Sequence, residues 1–289
     1  MENVLAVINH WHDAEAVLSA AEKLAAQFHS GLEVLVTVHD QLGELSKYIN
    51  WQDFSQLQAE IVEAEGARLE SLCAGKNYRQ HVEWTTSVHS TIVEKAESYG
   101  AGLIVMMASH DPMLSILIHT PDDWHLFRDT PCPVLALVKE RRACKQVIAG
   151  IDALDSHEAH RQLSARVLDN AAALAKAEGV PLKVLCVVPD PALVYAGIVN
   201  APMSGDFLLD TMAIAKTKAK ELVAHLGISP AAIDVVTGRV EDVVSRRALQ
   251  DDALLVIGNA SNKGFKALLL GNTAERILRS MKTDMLVVN

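Results

Sequence analysis

The second half of this chain repeats the first. Laid over its own middle at an offset of 151 residues, the end of the chain runs from Val82 against Ile233 to Val138 against Asn289 without a gap. Leu103-Ile104-Val105 then falls on Leu254-Leu255-Val256, Arg128 on Arg279, and Val134-Leu135 on Met285-Leu286. Upstream, Val4 to Ile8 matches Val147 to Ile151, and Leu32 to Asp40 matches Leu182 to Asp190. A repeat on this scale decides the architecture before any finer reading. It predicts one domain made twice, residues 1–140 and 141–289, with the joint near Glu140 to Cys144.

Within each repeat, short apolar runs alternate with segments of helical period. In the first, residues 3–9 predict a strand, and Ala14, Val17, Leu18, Ala21, Leu24, Ala25 and Phe28 then form one helical stripe. A strand at 32–39, a helix around 53–73, a strand near 81–86 and a helix near 90–99 follow. A strand at 103–107, a helix near 121–129 and a last strand at 134–138 complete the set, and the second repeat copies the order. Strands without a polar face that alternate with helices imply a sheet covered on both sides. The expected fold is therefore α/β: two tandem repeats, each a five-stranded, mostly parallel, Rossmann-like sheet with helices on both faces. Ligands of such sheets sit at the carboxyl ends of the strands.

Composition narrows the function classes. The net charge of −10 leaves no basic surplus to displace counterions from nucleic acid. Residues 1–140 carry 8 Lys+Arg against 20 Asp+Glu, and residues 141–289 carry 18 against 16, so the halves stand at about −12 and +2. Only the second is suited to a small polyanion. The opening MENVLAVINH lacks the basic start and apolar core of a signal peptide, and no apolar run is long enough to span a membrane. Cys73, Cys132, Cys144 and Cys186 show no CxxC spacing, which predicts neither a disulfide framework nor a cysteine zinc site and suits the cytoplasm.

In the second half, the strand Leu254 to Ile257 runs into Gly258-Asn-Ala-Ser261-Asn-Lys-Gly264, and Gly271-Asn272-Thr273-Ala274-Glu275 then opens a helix. Glycines at such points let backbone N–H groups approach a phosphate. Asn272 with Glu275 also reads as a helix cap, a role compatible with binding. The pattern G-x2-S-x9-G-N-T resembles the universal stress protein family, whose ATP-binding members carry G-x2-G-x9-G-[ST] there. The phrases HTPDDWHLFRDTPCPV and LLLGNTAERIL are most similar to its tandem, E-type class. The resemblance implies Ile151, Asp152 and Val188 near the adenine and ribose, and Ile257 and Gly258 beside the sugar–phosphate. It places Ser261, Gly271, Asn272 and Thr273 around the phosphates, with Mg²⁺ accompanying ATP. Ser261 stands for the family's second glycine and Asn272 for its Ser or Thr, which predicts weakened rather than lost binding. No group is placed as a general base, so the expected role is a nucleotide-regulated stress protein with at most slow hydrolysis.

The first half gives the contrast. Gly258 becomes Met107, Gly271 becomes Thr120, Asn272 becomes Pro121 and Asp152 becomes Asn9, while Asp122 and Asp123 complement a helix start that a phosphate would need. Nine of the twelve histidines lie in residues 1–140, and His119 with His125 forms a candidate Zn²⁺ pair beside those acids. A rival reading makes this half a module for a non-nucleotide or lipid-like ligand, lined by Met106, Met107, Met113, Ile116 and Trp124. The last strands, Val134–Val138 and Met285–Val288, are candidate edges for self-association or for an intrachain pseudo-dimer.

Overall fold

Val4, Leu5, Ala6, Val7 and Ile8 are all buried, with no alternation of polar and apolar positions. A strand of that kind needs cover on both faces. The computed structural model describes residues 3–40, 51–108, 124–138, 143–190, 205–259, 276–277 and 282–289. The chain divides into two units, Met1–Arg141 and Arg142–Asn289.

Unit 1 runs β1 (Asn3–Ile8), α1 (Ala14–Phe28), β2 (Gly31–His39), α2 (Trp51–Leu72), β3 (Arg79–Thr85), α3 (Val88–Tyr99), β4 (Leu103–Met107), α4 (Trp124–Asp129) and β5 (Val134–Leu137). Its strands lie in the order β3-β2-β1-β4-β5, every neighbouring pair parallel. The stripe expected on α1 is the buried one: Ala14, Val17, Leu18, Ala21, Leu24 and Ala25 all face the core. Gly100, which with Gly102 superficially suggests a dinucleotide motif, instead ends α3 in the left-handed region at φ 66°. Met106 and Met107 are buried in β4.

Unit 2 runs β6 (Gln146–Ile151), α5 (Glu158–Glu178), β7 (Leu182–Pro189), α6 (Gly205–Val223), β8 (Ile233–Gly238), α7 (Val240–Gln250), β9 (Ala253–Gly258) and β10 (Met285–Val288). Its order is β8-β7-β6-β9-β10, again parallel throughout. Among the described residues the first crossovers differ in length, α5 having 21 residues against 15 in α1.

Both sheets reverse their strand order beside the first strand. From β6 the chain moves outward to β7 and β8, then returns to add β9 on the other side. Such a switch point opens a crevice at the strands' carboxyl ends, the usual ligand position in open α/β sheets. In unit 2 the switch point falls between the ends of β6 and β9, at Ile151 and Gly258, and in unit 1 between those of β1 and β4, at Ile8 and Met107.

Candidate functional site

The unit 2 switch point gathers the described part of the predicted nucleotide site. Ile151 ends β6, Asp152 follows it, Val188 lies near the end of β7, and Ile257 and Gly258 end β9. Parallel register aligns Gly150 with Ile257 and Cys186 with Ile151, so the three strand ends reach the same edge of the sheet. The side chains of Ile151, Val188 and Ile257 are buried in the core. What these residues can offer a ligand is main chain. Ser261, Gly271, Asn272 and Thr273 lie outside the described residues, as does His119; His125 falls in α4, its side chain likewise outside them.

Asp152 is exposed, and its Oδ1 accepts the backbone N–H groups of Leu154 at 3.0 Å and Asp155 at 3.2 Å. This fixes the carboxylate as the pivot of its own loop. Gly258 has a different reason for being glycine than phosphate access alone. A Cβ there would lie 2.7 Å from Leu163 Cγ on α5, so the missing side chain lets the helix pack on the strand end.

Three features of this edge escape sequence reasoning. Asp155 accepts the backbone N–H of His157 at 2.8 Å and its Nδ1 at 2.7 Å, and pairs with His160 at 2.5 Å, tying down the turn that begins α5. The His157 amide above all, with the two imidazoles, holds the Asp155 carboxyl below the usual carboxylate range despite some opposing desolvation. Lys218 of α6 donates to the Leu154 carbonyl at 3.4 Å, joining the second crossover to the same loop. Burial, reinforced by the Asp152 charge, raises the Cys186 thiol against a lowering contribution from the Ala153 amide. The spacing D-x-H-x-x-H at 155–160 was the one available signal; Lys218 offered none.

Unit 1 arranges the same edge differently. A short 3-10 turn, Trp11–Asp13, replaces the loop of unit 2. Trp11 Nε1 donates to Glu65 on α2, and the Arg68 guanidinium carbon lies 4.3 Å from the indole centroid. His10 and His12 stack at 5.6 Å, with His12 2.9 Å from Asp13. Among the described residues no three His, Cys, Asp or Glu side chains are grouped to hold a metal, and no helix is long and apolar enough to cross a membrane.

The profile of the universal stress protein family matches twice, over residues 1–138 and 145–289. The chain belongs to the universal stress protein family. It does so in tandem form, with the stress-response role of that family. It is 24% identical over 310 residues to universal stress protein E of Escherichia coli strain K12, a match covering 99% of this chain and 93% of that protein. A universal stress protein E homolog of Haemophilus influenzae is 23% identical over 307 residues, covering 99% and 96%. Among solved structures, a candidate universal stress protein of Pseudomonas aeruginosa superposes with a TM-score of 0.72 at 26% identity, covering 100% of this chain and 93% of that one. A universal stress protein from Archaeoglobus fulgidus reaches 0.63 at 14% identity, covering 99% and 96%, a likeness of fold alone.

Proposed function

We propose that this tandem universal stress protein binds ATP with Mg²⁺ at the switch point of unit 2, as a regulatory ligand in the cytoplasm. The observation that carries the reading is the convergence of Asp152 and Gly258 on one crevice, at the strand ends where open sheets hold their ligands. Asp152 supports it further: one oxygen is committed to the loop, and the other has no partner among the described residues. A carboxylate so oriented is an acceptor for sugar hydroxyls or the adenine amino group. The near-neutral charge of residues 141–289 tolerates a polyanion far better than the acidic first half. The four cysteines form no disulfide, which suits a reducing compartment.

Calorimetric titration of nucleotide-stripped full-length protein tests the assignment. Asp152→Ala should weaken ATP binding by about 1–3 kcal/mol, the cost of losing a hydrogen bond to a charged group. Gly271→Val should abolish binding with the fold intact if the phosphates lie against that backbone. Unchanged affinity in both variants refutes the site.

A further inference from the structure

α2 and α6 hold the same place in the two units, each joining the second strand of its sheet to the third. Their inner faces are alike. Leu69 and Cys73 are buried at the end of α2, and Ala219 and Val223, 150 residues further on, are buried at the end of α6. Their outer faces have diverged. Residues spaced four, three and four apart line one side of a helix. On α6 that stripe is Leu209, Ala213, Lys216 and Lys220, all exposed. At the corresponding positions α2 has Ala59, Glu63, Gly66 and Glu70, exposed except for the partly covered Gly66.

Each stripe is unexplained within its own unit. Phe207, Leu209 and Ile214 are each more than half exposed, and they are three of the four exposed large apolar residues described. Apolar surface gathered in this way on one helix marks a contact surface. On α2 the unusual residue is Gly66, since glycine weakens a helix interior. A Cβ at Gly66 would meet nothing within 4 Å, so packing inside the unit does not call for glycine there. An approaching helix would call for it.

The two stripes complement one another. Bulky apolar groups on α6 answer the small Ala59 and Gly66 on α2, and Lys216 and Lys220 answer Glu63 and Glu70. Among the described residues none of these four charges is in an ion pair. Residues 1–140 stand at about −12 and residues 141–289 at about +2, so like halves repel and unlike halves attract. An anionic lipid surface suits α6 less well, because Asp210 and Glu221 are exposed along the same helix.

We propose that α6 of one copy of this chain docks on α2 of a second copy. The apolar side chains of α6 cover Ala59 and Gly66, and Lys216 and Lys220 face Glu63 and Glu70. This contact rests on neither strand-end crevice and is independent of nucleotide binding.

Sedimentation velocity of the full-length protein from ~1 to ~200 μM tests it. The wild type should associate with rising concentration beyond the 31.3 kDa of one chain. Lys216→Glu with Lys220→Glu makes both stripes acidic, and Glu63→Lys with Glu70→Lys makes both basic. Each double variant alone should associate about tenfold more weakly or worse, and an equimolar mixture of the two should recover to within about threefold of the wild type. Gly66→Leu, which has room in the isolated unit, should keep the fold by circular dichroism and also weaken association about tenfold. The proposal is overturned by a wild type that stays monomeric throughout, by double variants that associate as the wild type does, or by a mixture no tighter than its components. A monomeric wild type captured by phosphatidylserine vesicles would assign α6 to a lipid surface and likewise overturn it.

Discussion

At the scale of single residues, His29 shows where this chain departs from its own second copy. It ends α1 in the left-handed region at φ 52°, donating back to Ala25 and Ala26, and is exposed to solvent. At the same point unit 2 has Gly179, at φ 68°. A side chain with a Cβ is disfavoured in this conformation, so His29→Gly should raise stability by about 0.5–1 kcal/mol in urea unfolding, net of the freedom glycine adds to the unfolded chain. A lower midpoint would mean that the imidazole makes a contact worth more than the strain. Gly258 is the opposite case. Gly258→Ala should cost about 1–3 kcal/mol by driving its Cβ into Leu163, and adding Leu163→Ala should recover part of that loss. Strictly additive effects would show that backbone freedom rather than helix packing fixes this glycine.

At the scale of elements, periodicity carried most of the information. The α1 stripe and the unbroken runs of β1, β4 and β9 were legible because burial repeats at a fixed spacing within each element. The contacts that shape the strand ends were not, because their partners lie far apart in the chain: Trp11 meets Glu65 54 residues away, and Lys218 meets Leu154 64 residues away. Gly258 illustrates the same limit, since a glycine leaving a strand signals a phosphate loop equally well whether or not a helix leans on it. The opening turn of α5 makes its own prediction. Asp155 has a lowered folded pKa, so it stabilises the native state at neutral pH, and this contribution disappears as acid protonates the folded carboxyl. Asp155→Asn should therefore lower stability by about 1–2 kcal/mol at pH 7, with the gap to the wild type closing below about pH 4. A gap that stayed constant with pH would assign the effect to lost packing.

At the scale of the whole molecule, duplication supplied two switch points of one design and divergence made them chemically unequal. Unit 2 keeps a carboxylate at the end of its first strand, a glycine at the end of its fourth, and little net charge. Unit 1 has Asn9 and Met107 at those places, with about −12 overall. A phosphate-bearing ligand entering unit 1 would meet that field without the backbone approach that glycine permits, whereas in unit 2 neither obstacle arises. One nucleotide per chain is therefore expected from calorimetry of stripped, active protein with ATP and Mg²⁺. Asp152→Ala should weaken that single event, and Asn9→Leu should leave it within about twofold, the two positions belonging to separate crevices. A stoichiometry near two would show that unit 1 tolerates phosphate despite its charge. Loss of ATP binding in Asn9→Leu with Asp152→Ala unaffected would place the nucleotide in the other half.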